Sequence, residues 1–190
     1  MGPSRKYPTW MLVPTLVFAG WAARADTSAG TTTTVILVRH AEKADGSRDP
    51  DLSESGIARA TELARVLADV EVHALYASQF RRTQQTLDPV GERRKLPVEV
   101  FPVESQDVPA YARRLAGRLL DAYAGKTVLV AGHSNTVPTL IEALGIASAP
   151  SIDESDYDDL FLVFVEPGGD ARLLHLHFGA ADESAGPDEP

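Results

Sequence analysis

The sequence predicts an α/β fold: a three-layer α/β/α sandwich with a mostly parallel central sheet and a C-terminal β-hairpin-like pair. Three observations carry this. Strand-like and helix-like patterns alternate from residue 34 to residue 144, which is the signature of βα units. The first strand run, Thr34-Val-Ile-Leu-Val38, is continuously apolar, as a strand covered on both faces must be. The last two strand-like runs are joined by Glu166-Pro-Gly-Gly-Asp170, turn chemistry with no room for a crossover helix.

The elements follow in order. Ile57, Ala60, Leu63, Ala64, Leu67 and Ala68 recur at helical spacing over residues 54–69, with Ser53 placed to cap the start. Ala74-Leu-Tyr-Ala77 reads as a second strand, and residues 79–91 as a helix that Pro89 should end or bend. Val98-Glu-Val-Phe101 is a third strand. Residues 108–124 place Val108, Tyr111, Ala112, Leu115, Leu119 and Ala122 on one helical face, and Gly125 suits the position just past its end. Thr127-Val-Leu-Val-Ala131 is the fourth central strand. Residues 134–144 read as a helix from Ser134 to Gly145, with Pro138 tolerated near its first turn. Leu160–Val165 and Arg172–Phe178 form the final pair.

The ends read differently from this core. Arg5 and Lys6 precede an apolar stretch from Trp10 to Ala23, and Ala23-Arg24-Ala25 is a small-x-small site. Residues 1–25 are therefore expected to be a cleaved signal peptide, which implies a periplasmic or secreted protein with no membrane attachment after cleavage; an uncleaved signal anchor is the alternative. Residues 181–190 are small and acidic and read as a disordered tail. The catalytic domain is expected over residues 31–180, a one-domain size. The 190-residue chain carries a net charge of -9. The leader holds Arg5, Lys6 and Arg24 and no acid, so its removal takes the charge to -12. Such a balance argues against a general nucleic-acid partner, which needs cations along the phosphates. The absence of cysteine excludes disulfides, thiolate metal sites and a cysteine nucleophile.

In parallel sheets, ligands bind beyond the carboxyl ends of the strands. The first strand is followed by Arg39-His40-Ala-Glu42, and the second by Ser78-Gln-Phe-Arg81-Arg82-Thr-Gln-Gln-Thr86. The third leads into Pro102-Val-Glu104-Ser-Gln-Asp107, and the fourth into Gly132-His133-Ser-Asn135. Imidazoles, guanidiniums and a carboxylate thus meet at one sheet edge from four segments. Arginine forks match phosphate oxygens, and the helix starts expected near Ser78 and Ser134 would add N–H donors.

These residues resemble the motifs of the histidine phosphatase (phosphoglycerate mutase-like) superfamily. Val38-Arg39-His40-Ala41-Glu42 is similar to its Arg-His-Gly signature, and Asp49-Pro-Asp-Leu52-Ser53-Glu-Ser-Gly56 to its Asp-x-x-Leu-Thr-x-x-Gly segment. Ser78-x-x-x-Arg82-x-x-x-Thr86 resembles the second arginine motif, and Gly132-His133-Ser134-Asn135 the second histidine motif. The resemblance implies His40 as nucleophile, Arg39, Arg82 and His133 as phosphate-binding residues, Glu104 as proton donor, and no cofactor or metal. Ala41 stands where many members have Gly, and the Gly-Glu-Trp-x-Gly sequence that often follows the donor is missing after Glu104. Asp107 and Glu42 therefore remain alternative acids.

Other signals read as structural. His175 and His177 lie two apart and share a strand face, and no acid at suitable spacing completes a metal site. The acidic residues of 153–159 lack the glycine-turn spacing of a calcium loop and read as a solvated loop, with Tyr157 placed to border the pocket. Arg93-Arg94-Lys95 reads as solvated helix-end charge, and His73 as structural or exposed. The expected function is an exported metal-independent phosphatase working through a phosphohistidine at His40. A frame with no insertion long enough for a cap domain suits bulky phosphorylated substrates, macromolecules included. A phosphomutase and a non-catalytic phosphate-binding module are the alternatives.

Overall fold

The computed structural model describes residues 1–2, 31–104 and 107–181. The expected leader falls almost wholly on residues 3–30 and the expected tail on 182–190, outside the described residues. No helix among the described residues is long and apolar enough to cross a membrane.

The elements run β1 (Thr33–Arg39), α1 (Glu54–Val66), β2 (Ala74–Ala77), α2 (Arg81–Arg94), β3 (Val98–Val100), α3 (Val108–Ala122), β4 (Thr127–Gly132), α4 (Thr136–Ala143), β5 (Asp159–Val165) and β6 (Ala171–His177). The six strands form one sheet in the order β3-β2-β4-β1-β5-β6. The four strands from β3 to β1 are parallel, and β5 and β6 continue the sheet antiparallel. Helices α3 and α4 cover one face through Tyr111, Leu115, Leu119, Val137, Leu140 and Ile141. Helices α1 and α2 cover the other through Leu63, Leu67, Leu87 and Val90. Residues of β1 alternate between these two cores, Val35 and Leu37 in one, Ile36 and Val38 in the other. This is the expected α/β/α sandwich.

Local departures from expectation have physical causes. Ser53 caps α1 by accepting the Gly56 N–H at 3.1 Å. The inward stripe of α1 starts at Gly56 rather than at Ile57, which is 57% exposed. A β-carbon on Gly56 would stand 2.3 Å from the Glu42 carbonyl oxygen, so only glycine lets the helix start press on the segment after β1.

Pro89 does not end α2, which continues to Arg94 and closes on Lys95 in the left-handed conformation (φ 57°). Leu87, Val90 and Gly91 are buried on either side of the proline, and that packing outweighs the lost hydrogen bond. Arg94 is not solvated charge either. Its Nη2 donates to the carbonyls of Leu67, Ala68 and Val70, where it satisfies the end of α1.

Candidate active site

The carboxyl ends of β1, β2 and β4 lie side by side, and Arg39 pairs in register with Gly132. The chain beyond these ends brings Arg39, His40, Arg82 and His133 together. The His40 and His133 rings stand 5.4 Å apart edge to face.

His40 is 4% exposed, and its Nδ1 lies 2.8 Å from the Ala41 carbonyl oxygen. A carbonyl only accepts, so Nδ1 carries the proton of the neutral ring and Nε2 keeps its lone pair. Burial pushes the His40 pKa down to about 3, helped by the charges of His133, Arg39 and Arg82 and opposed by the bond to Ala41. The ring is thus neutral at ordinary pH, with the Nε2 lone pair available to an electrophile. The backbone that carries it is pinned on both sides. His40 N–H donates to Gly132 O at 3.0 Å. Ala41 N–H donates to Thr86 Oγ1 at 2.9 Å, and that hydroxyl donates to Arg82 O at 2.7 Å. Arg82 and Thr86, one helical turn apart, therefore serve the site and its support respectively. The Ala41 methyl is fully buried in a small cluster with Leu52 and Ala60.

His133 follows Gly132, where a β-carbon would meet Thr136 Oγ1 at 2.8 Å and Val137 Cγ2 at 2.9 Å. Its Nε2 is 2.9 Å from Ser78 Oγ, and its ring meets Phe80 edge to face at 5.4 Å. Burial first, then Arg82 and Arg39, push its pKa down to about 4.

Arg39 is 2% exposed. Its Nη1 donates to the carbonyls of Asp153 (2.8 Å) and Asp156 (2.9 Å), and its Nη2 to Glu154 Oε2 (3.1 Å). The guanidinium also lies 4.2 Å over the Tyr157 ring, which itself stands 6.0 Å from His40. Tyr157 therefore borders the site, as its place in the sequence suggests. Arg82 lies 4.4 Å over Phe80, with Asp49 at 4.0 Å. Desolvation lowers its pKa. The Nε–H groups of both Arg39 and Arg82 are buried and have no hydrogen-bond partner among the described residues. Two buried donors on two cations, beside two neutral imidazoles, suit an anion with several oxygens.

The candidate acids are arranged otherwise. Glu104 stands in the loop after β3, 79% exposed and 3.3 Å from Arg114. The following residues 105 and 106 lie outside the described residues. Glu42 is bound to Arg59 at 2.8 and 3.0 Å, and Asp107 caps α3 by accepting from Ala110 N–H. Both of these have structural tasks. Sequence reasoning missed Glu154, whose carboxylate bridges Arg39 and Ser134 (Ser134 Oγ to Oε1, 2.5 Å). Only the fold of the 153–158 loop brings it there. The expected helix-start donors also shift. Helix α2 begins at Arg81 behind an uncapped Phe80, and α4 begins at Thr136, leaving Ser134 to Glu154.

A family model described as the histidine phosphatase superfamily (branch 1) matches residues 35–103, which contain Arg39, His40 and Arg82. Comparison with curated proteins gives no match. Among solved structures, the chain is similar to the protein histidine phosphatase SixA complexed with tungstate. The TM-score is 0.61 at 22% identity, over 76% of this chain and 96% of that one. Bacillus stearothermophilus YhfR aligns with a TM-score of 0.58 at 21% identity, over 80% of this chain and 96% of that one. A mycobacterial glucosyl-3-phosphoglycerate phosphatase aligns with a TM-score of 0.63 at 19% identity, over 79% of this chain and all (100%) of that one. At these identities the structural likeness is one of fold.

Proposed function

We propose that the chain, whose residues 35–103 match the histidine phosphatase superfamily model, is a member of that superfamily and hydrolyses phosphate esters through a phosphohistidine at His40, without a metal in the chemical step. The observation that carries this is the neutral His40, its Nδ1 held by the Ala41 carbonyl, among two guanidiniums whose buried Nε–H groups have no hydrogen-bond partner among the described residues.

In the first step His40 Nε2 attacks phosphorus in line with the ester oxygen. The N–P bond forms as the P–O bond breaks. Arg39, Arg82 and His133 hold the equatorial oxygens and stabilise the charge spread over them. A carboxylic acid protonates the departing alkoxide, and the same group, now a carboxylate, takes a proton from the water that cleaves the N–P bond. Glu104 is the proposed donor, and its exposure leaves the side chain able to leave Arg114 for the pocket. The tungstate in the SixA complex is a tetrahedral oxyanion of the same shape class as phosphate, which supports a phosphoryl group as the ligand here.

The segments that frame the site are residues 40–53 between β1 and α1 and residues 144–158 between α4 and β5. Neither forms a helical cap over the site. That openness supports a bulky substrate, a phosphoprotein or another macromolecular phosphate. The pattern of residues 1–25 supports export and a periplasmic or secreted location. The test is phosphate release from aryl phosphates and phosphoproteins, with His40→Ala as control. Wild type should release phosphate, be inhibited by vanadate and yield an acid-labile phosphoenzyme. His40→Ala should keep the fold and lose all three properties, and near-wild-type release by that variant would refute the assignment. Transfer of the phosphoryl group to an alcohol in preference to water would instead establish a mutase.

A further inference from the structure

The C-terminal hairpin carries a second cluster of ligating groups. His175 and His177 point to the same face of β6, and the register of the pair sets Asp159 of β5 directly opposite His177. The acid absent from the local sequence is thus supplied across the hairpin. Asp159 Oδ1 lies 2.5 Å from His175 Nε2 and 3.8 Å from His177 Nδ1. One ligand atom from each residue falls within 4.8 Å of the others.

We propose that Asp159, His175 and His177 form a binding site for a borderline divalent transition-metal ion of the Zn²⁺ class. Two neutral imidazoles and one carboxylate suit such an ion, whereas Ca²⁺ and Mg²⁺ require mainly oxygen donors. The fourth position is left to water. Bonds of about 2.0–2.1 Å place tetrahedral ligand atoms roughly 3.4 Å apart. The Asp159–His177 spacing is already close to that value, and His175 must withdraw from Asp159 by roughly 1 Å.

The protein around the cluster favours this arrangement. The Asp159 side chain is 7% exposed and fixed, while those of His175 and His177 are 33% and 63% exposed and open to an incoming ion. His175 stacks on Phe161 at 4.4 Å, which fixes the plane of its ring. A second carboxylate, Asp158, lies 2.9 Å from His177 Nδ1 and adds negative charge beside the cation. None of the three ligands belongs to the phosphoryl pocket, so the ion is a brace for the hairpin and not a participant in the transfer step.

Isothermal titration of the tag-free full chain with Zn²⁺, and Co²⁺ titration followed by visible absorption, test the site. Binding of one ion is expected, with an intense tetrahedral Co²⁺ band. Affinity should rise from pH 6 to pH 8, because protons compete with the ion for imidazole nitrogen. His175→Gln and His177→Gln should each weaken binding at least about tenfold. Saturating Zn²⁺ should raise the wild-type melting temperature and leave that of the double variant unmoved. His40→Ala should bind as wild type. Failure to bind at about 100 µM Zn²⁺, or binding unchanged in both Gln variants, would overturn the proposal. Loss of binding in His40→Ala would overturn it as well, by placing the ion in the phosphoryl pocket.

Discussion

Thr86→Val isolates the support of the proposed nucleophile, His40, from the imidazole itself. Thr86 is 1% exposed and Ala41 fully buried, so the Ala41 N–H has no access to water when its acceptor is removed. Valine keeps the volume and shape. The variant therefore loses one buried hydrogen bond and strands one buried donor, at a cost of about 1–3 kcal/mol of folding stability. The second bond, from Thr86 to Arg82 O, ends on an α2 carbonyl and adds little to this cost. The donor left stranded lies one peptide from His40, and the carbonyl of the same residue orients the His40 ring. Relaxation of that segment should tilt Nε2 away from the in-line position, so kcat should fall about 10–100-fold, equivalent to about 1.4–2.7 kcal/mol of barrier. The KM should change little, since Arg39, Arg82 and His133 remain. Thr86→Ser keeps the oxygen and should restore most of both losses. Urea denaturation and steady-state phosphate release measure the two effects. A Thr86→Val protein within about 0.5 kcal/mol of wild type and within twofold in kcat would refute the positioning role.

Burial lowers the pKa of His40 to about 3 and that of His133 to about 4, so neither imidazole should titrate between pH 5 and 8 in an NMR titration. A midpoint above pH 6 for His40 would contradict the neutral-nucleophile reading. The same groups protonate near pH 6.5 in the unfolded chain. Their contribution to stability is therefore constant above that pH and is lost progressively as the pH falls toward 4, which acid-dependent melting should show. Glu104→Gln should slow release from alkyl phosphates far more than from aryl phosphates, whose leaving groups need little protonation; equal effects would remove Glu104 as the donor. Arg94→Met should lower stability by about 1–3 kcal/mol, because the carbonyls of Ala68 and Val70 lose the Arg94 donor and that of Leu67 keeps only the Val70 N–H. Its kcat should stay within twofold of wild type.

What the sequence disclosed and what it concealed divide along a physical line. Thr34–Val38 and Thr127–Ala131 announce themselves because a strand covered on both faces has no polar positions to spare. The site residues were legible for a related reason. Arg39, His40 and His133 directly follow the apolar runs of β1 and β4, and Arg82 lies in the polar segment after β2. Arg81 and Arg82 also oppose the positive end of the α2 dipole, and Asp51 and Asp49 answer them at 2.6 and 4.0 Å. The persistence of α2 through Pro89 was not legible, because the tertiary packing of Leu87 and Val90 outweighs local propensity. Glu154 at Arg39, and Asp159 at His175, depend on loop conformation and strand register, which spacing along one chain does not reveal.

The Glu154 contact bears on how an acidic protein would admit the proposed phosphorylated substrate. Glu154 is 78% exposed, whereas the Arg39 side chain it meets is 1% exposed. An ion pair with one partner in water contributes little, about 0–1 kcal/mol, and is screened by salt. The two backbone carbonyls on Arg39 Nη1 hold the guanidinium in place whether or not the carboxylate stays. A phosphoryl dianion can therefore take the Nη2 and Nε donors by displacing only Glu154, while the cation keeps its position. In that arrangement Glu154 neutralises a buried cation when no substrate is bound, and its negative charge opposes anions that cannot also engage Arg82 and His133. Glu154→Gln should accordingly tighten inhibition by small oxyanions such as inorganic phosphate while improving kcat/KM for esters less. An unchanged phosphate inhibition constant would show that the carboxylate does not compete for Arg39.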